Sequence, residues 1–213
     1  MATKKQILGI DVSKHNGQID FAKAKKAGYS FVIIRCGYGQ DISAQDDFMF
    51  EKNYQNAKKA GLKVGVYIYS YAKSTVMAQC EARHVLRLIK GKELDLPIYI
   101  DCEEKGTEPF AKNCAKAFCN YLEKKGYFCG VYANTFWHNK YLKGIEDKYT
   151  FWEANYGSNN GKINSDIKAD IHQFTSRGRI DGIKGDVDVN ILHRTTLINE
   201  IAKFYGRKAG KTK

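Results

Sequence analysis

The sequence predicts an α/β barrel of about five βα units followed by three strands with short connections. Three observations carry that prediction. Short runs rich in Val, Ile, Phe and Tyr alternate with amphipathic stretches of helical length. The helical stretches close with the same punctuation three times, Lys25-Lys26-Ala27-Gly28-Tyr29, Lys58-Lys59-Ala60-Gly61-Leu62 and Lys124-Lys125-Gly126-Tyr127, each just before a strand-like run. Basic residues suit the negative end of a helix, and Gly accepts the left-handed conformation beyond it. The alternation then stops beyond Trp137-His138, where the connecting segments become rich in Gly, Asn, Ser and Lys. Repeated β-then-α units make a parallel sheet. A chain of 213 residues with 43% hydrophobic content is enough for one core, including a small eight-stranded, irregular TIM-like barrel.

Taken in order, Ile7 to Val12 is a first strand ending in Asp11 and followed by the polar loop Ser13 to Gly17. Asp20 reads as the N-cap of a helix that stops at Gly28. Phe31 to Cys36 is strand two, closed by Gly37-Tyr38-Gly39, and a helix follows from about Asp47 to Ala60. Lys63 to Tyr71 is strand three, and Ser74 to Lys90 a long helix ending at Gly91. The fourth strand lies in Leu96 to Glu104, an apolar run that ends in three acids around one cysteine. A helix from about Pro109 to Lys125, with Pro suited to its first turn, leads to strand five, Phe128 to Ala133. Thr150 to Tyr156, Ile171 to Ser176 and Val187 to Leu192 are the last three strands, and a helix from roughly Thr195 to Tyr205 closes the fold. One domain over residues 1–205 is expected, with 206–213 as a basic tail or the stub of a linker.

Composition narrows the function classes. The formal charge is +12, with Lys and Arg spread along the helices and concentrated after Arg207. Solvated helix faces account for much of it; attraction to a polyanion, nucleic acid or an anionic cell wall, is the sharper reading. No module for specific nucleic-acid recognition is recognisable. No apolar stretch reaches membrane-spanning length, and Met1-Ala2-Thr3-Lys4-Lys5 runs straight into the first strand without a signal-peptide core. The six cysteines lack a Cys-x-x-Cys pair and are expected as buried free thiols.

The chemistry gathers in the acids. Strand side chains alternate, so Asp101 and Glu103 are expected on one face and Cys102 and Glu104 on the other, with Glu104 turned to solvent or a helix. Close like charges cannot both ionise freely, so one carboxyl should keep its proton near neutral pH, as cleavage of a glycosidic bond requires. In a parallel barrel, functional groups collect at the C-terminal ends of strands. By that rule Asp11, Asp101, Glu103 and Asp188 share one mouth. Asp11 with Ser13, and Asp188 with Asn190, could equally be satisfying local backbone groups. Tyr67, Tyr69 and Tyr71 share a face of strand three, and Trp152 and Tyr156 share one on strand six. Tyr69, Tyr71 and Tyr156 lie nearest the loops, where aromatic faces could stack on sugar rings, while Tyr67 and Trp152 could equally be barrel core. None of the five histidines pairs at helical spacing or neighbours a nucleophile signature.

In these residues the chain resembles the family 25 glycoside hydrolases, the Chalaropsis-type lysozymes of bacteria and their phages. The resemblance lies in Asp11-Val12-Ser13 with Asn16-Gly17, Phe50-x-x-Asn53 leading to Ala60-Gly61-Leu62, Gly65-x-Tyr67, Asp101-x-Glu103, Trp152-x-Ala154-x-Tyr156, His172 to Ser176, and Val187-Asp188-x-Asn190. It implies N-acetylmuramidase activity on bacterial peptidoglycan, without metal or organic cofactor. It also implies Glu103 as general acid, Asp101 as its partner, Asp11 and Asp188 as flanking acids of the cleft, and Asn190 at the substrate site. With no leader, the expected route is synthesis in the cytoplasm and release to the wall through a holin-type membrane hole. Two other readings of the acid cluster stand beside this one: a magnesium-dependent phosphohydrolase, and a sugar-binding barrel without chemistry.

Overall fold

The computed structural model describes residues 6–157 and 165–206. Eight strands close into one barrel in sequence order: β1 (Ile7–Val12), β2 (Tyr29–Tyr38), β3 (Lys63–Tyr69), β4 (Ile98–Asp101), β5 (Cys129–Asn134), β6 (Thr150–Ala154), β7 (Ile171–Gly178) and β8 (Val187–Leu192). Helices α1 (Phe21–Lys26), α2 (Phe50–Lys59), α3 (Thr75–Leu88) and α4 (Ala111–Lys124) connect β1 through β5, and α5 (Thr135–Trp137) is one turn after β5. Helix α6 (Leu197–Phe204) follows β8. The expected cap at Asp20 accepts from Lys23 N–H, and Ser74, read as the first residue of its helix, is in fact its N-cap and accepts from Met77 N–H. Among the described residues no helix is long and apolar enough to cross a membrane, and all six cysteines are free, five of them buried.

Alternation divides the strand residues between two cores. Ile98, Ile100 and Cys102 face out, into a layer with Ala82, Val85, Ala115 and Phe118 of the helices. Tyr99 faces in, where it joins Phe31, Ile33, Leu96, Tyr132 and Trp152. So narrow a barrel needs gaps opposite its large rings. A Cβ at Gly9 would stand 2.3 Å from the Phe31 ring, and one at Gly130 only 2.6 Å from Tyr99. At the bottom of the barrel Leu197, Ile198 and Ile201 of α6 pack on the same inner cluster and stopper it.

Four expectations are corrected. The sheet is mixed: β1 to β7 pair in parallel, but β8 is antiparallel to both β7 and β1. β2 runs on through Gly37 to Tyr38, because Gly37 lies against Gln45 O and the His84 ring, where a Cβ would be only 2.9 Å from each, instead of turning. β3 stops at Tyr69, because Ser70 N–H turns to Asp101 O and Tyr71 N–H to the Glu81 carboxylate. β4 stops at Asp101, so Cys102, Glu103 and Glu104 lie beyond the strand. Of the basic tail, 207–213 lies outside the described residues.

Candidate active site

The mouth is assembled by register. Tyr69 pairs with Asp101 and Asp101 with Tyr132, which sets Asp101 in the upper inner layer between two tyrosines. Asp11, one residue from the end of β1, pairs with Asp188. Asp188 is the second residue of β8, and it reaches the mouth because that strand runs in reverse. The rule of strand C-terminal ends therefore placed Asp188 correctly for the wrong reason.

Asp101 and Asp11 are buried at the wall of a narrow pit of about 120 Å³, lined also by Tyr67, Trp152, Gln173 and Asp188. Glu103 lies outside it, on a wider groove of about 450 Å³ with Asn134, Phe136 and Asn155, and Tyr132 and Tyr156 line both spaces. Glu103 leans toward β5, where its Oε1 accepts from Asn134 N–H. Glu104 turns back to the mouth, against expectation, and accepts from the Tyr69 hydroxyl at 2.9 Å. Strand alternation ends with the strand, so it could not direct either glutamate.

Behind the pit a network orients Asp11. The Trp152 indole N–H donates to Asn190 Oδ1 at 2.8 Å, and an indole can only donate, so the Asn190 amide must turn its NH₂ to Asp11 Oδ2, also at 2.8 Å. The Tyr132 and Tyr156 hydroxyls both donate to Gln173 Oε1 at 2.9 Å, which aims the Gln173 NH₂ at the same Asp11 oxygen at 2.8 Å. Trp152 and Asn190 are almost fully buried, whereas Tyr71 and Tyr156 are about two-fifths exposed. Tyr67 sits edge-on to Trp152, and Tyr69 edge-on to Tyr71.

All four acids are held above the ordinary carboxyl range. For Asp101 burial is the largest cause, followed by the fields of Glu103 and Asp11, with Arg35 opposing. Burial likewise leads for Asp11, with Asp188 next. Glu103 is raised by burial against the pull of its Asn134 hydrogen bonds. Asp188 is pushed up to about 6 by burial. The expected splitting by like charge is present, but dehydration comes first.

The structure brings Asp11, Asp101, Glu103, Asp188, Tyr67, Trp152 and Tyr156 to one mouth, with Tyr69 and Tyr71 on its rim. Sequence reasoning did not single out Tyr132, Asn134 or Arg35, and it quoted Gln173 only within the His172 to Ser176 motif, without a role. Arg35 interrupts an apolar strand at an inward position, which is the signal that could have found it, whereas Gln173 lies in a largely polar strand and left no such mark.

Residues 10–183 match glycosyl hydrolases family 25. The chain belongs to that family. Among family 25 relatives it is 31% identical over 185 residues to an autolytic lysozyme of Clostridium acetobutylicum, covering 85% of this chain and 54% of that protein. It thus spans about half the length of that relative. The catalytic domain of endolysin ply40, from bacteriophage P40 of Listeria monocytogenes, superposes with a TM-score of 0.78 at 25% identity, covering 94% of this chain and 98% of that one. The lysozyme of Streptomyces coelicolor has the same fold, with a TM-score of 0.78 at 23% identity over 95% of this chain and all of that one.

Proposed function

We propose that this family 25 chain is a peptidoglycan hydrolase that cleaves the β-1,4 bond between N-acetylmuramic acid and N-acetylglucosamine. One observation carries the reading: the buried Asp101 Oδ1 has no hydrogen-bond partner among the described residues, beside a groove that presents Glu103. A buried acceptor without a donor is costly, and the 2-acetamido N–H of a bound sugar would supply one. Glu103, whose proton affinity is raised by burial, donates to the glycosidic oxygen as that bond breaks. The acetamido carbonyl oxygen, oriented through its N–H by Asp101, bonds to C1 and forms an oxazolinium ion. Ionised Glu103 then takes a proton from water, whose oxygen attacks C1 and reopens the ring. Asp11 and Asp188 flank the cleft, and Asn190 acts through Asp11. Tyr69, Tyr71 and Tyr156 offer exposed aromatic surface for sugar faces, and Tyr67 and Trp152 form the floor.

The positive charge supports a second contact with the wall. Lys25, Lys26, Lys59, Lys124 and Lys125 are exposed at the ends of helices that lead into the strands from below. None of the five makes an ion pair among the described residues. We infer that anionic wall polymers are held at this face, opposite the acidic mouth.

Mass spectrometry of the soluble products from purified peptidoglycan tests the activity. New fragments reducing at N-acetylmuramic acid, absent with Glu103→Gln and indifferent to chelator, are expected. Wall binding without fragments would leave a binding barrel, and loss of activity with chelator would favour the metal-dependent reading.

A further inference from the structure

Lys14 follows β1 at the mouth, and its ammonium lies 5.6 Å from the centre of the Tyr38 ring and 5.9 Å from that of Phe48. Tyr38 ends β2 and pairs with Tyr69, which pairs with Asp101, so this cation stands on the rim two strands from the acid pair. Phe48 is 75% exposed, the most of any large apolar side chain among the described residues. Nothing within the described protein explains so large a ring left in water, except the cation it flanks.

The two acids that precede Phe48 in the sequence are already engaged. The Asp47 carboxylate accepts from Arg35 Nε, from the backbone N–H of Lys14 itself and from Met49 N–H. Asp46 is bonded to His84 and Arg87. The Lys14 ammonium makes no ion pair among the described residues. Aromatic faces attract a cation but do not neutralise it. The rings therefore hold a full charge in a fixed place, at the edge of a mouth whose own acids repel anions.

We propose that Lys14, held between Tyr38 and Phe48, is the docking point for a carboxylate of the peptide stem attached to the substrate glycan. This rests on the muramidase reading. The stem leaves the glycan at the lactyl group on C3 of muramic acid, the same sugar whose C1 reacts, so its carboxylates lie within reach of the rim. Docking there adds affinity for stem-bearing strands and sets which way round a strand lies across the acids.

The test compares matched glycan strands with their stems intact and with the stems removed by an amidase, using wild type, Lys14→Met and Lys14→Arg. At low salt Lys14→Met should lose about three- to five-fold in kcat/KM on stem-bearing strands, as expected of an exposed ion pair, and the loss should lie in KM. It should be unchanged on stripped strands, Lys14→Arg should restore the rate, and high salt should erase the difference. Phe48→Ala, which frees the cation, should show the same pattern in weaker form. Equal losses on both substrates, or no loss on either, would overturn the proposal. If wild type cleaves neither substrate, the muramidase reading falls and this inference with it.

Discussion

The two sides of the barrel mouth hold their carboxylates in opposite ways. On the β1, β7 and β8 side, Asp11 Oδ2 receives two amide N–H groups, and each amide is locked in turn by Trp152 or by Tyr132 and Tyr156. On the β4 and β5 side, Asp101 Oδ1 has no partner among the described residues, and Glu103 takes its hydrogen bonds from Asn134. A satisfied carboxylate is fixed and has little left to offer a ligand, whereas an unsatisfied one retains its capacity for substrate. The antiparallel corner is thus the frame, and the strand β4 end is where the chemistry is proposed.

Substitutions should separate the two sides, beginning with the most severe. Glu103→Gln should lower the release of reducing ends by about 10³-fold while leaving thermal unfolding nearly unchanged, since it removes the acid but not the bond from Asn134. Asp101→Asn should lower kcat by about 10²-fold with little change in KM, because orientation of the acetamido group matters most as C1 reacts. Its stability should move the other way. A carboxyl whose folded pKa is raised stabilises most at low pH and loses that contribution as pH rises through the raised value. Asp101→Asn should therefore melt higher than wild type at pH 7 but not at pH 4.

On the frame side the larger effect should fall on folding. Asn190→Ala strips Asp11 of one donor and leaves the buried Trp152 N–H unpaired, and about 2–3 kcal/mol of stability should be lost in denaturant titration. Asp188→Asn should be the mildest, keeping activity within about ten-fold. Because Asp188 titrates near 6, wild type loses stability as pH rises through that value. The melting advantage of Asp188→Asn should accordingly grow between pH 4 and pH 7.

How much of this was legible depended on which physical signal each residue leaves. The βα repeats and strand positions were readable because Lys-Lys and Gly mark the ends of three helices and alternation marks the strands. Asp101 stood out because an acid in an apolar run is costly to bury without a use. The direction of β8 is not marked in Val187 to Leu192, which alternates identically whichever way it runs; the sign that was passed over is the connection from Gly178 to Val187, too short for a parallel crossover. Glu104 was misplaced because alternation was extended past Asp101, where the strand stops. Gln173 and Arg35 were passed over because their partners, Asp11 and Asp47 among them, are set by barrel closure and loop packing.

Early-time proton NMR of the new reducing end tests most directly whether the buried Asp101 orients the substrate's own acetamido group. Attack by the acetamido oxygen followed by water inverts C1 twice, so the first product should be the β-anomer, with the α-anomer appearing only by later mutarotation. An α-anomer formed first would mean direct attack by water and would contradict the role given to Asp101.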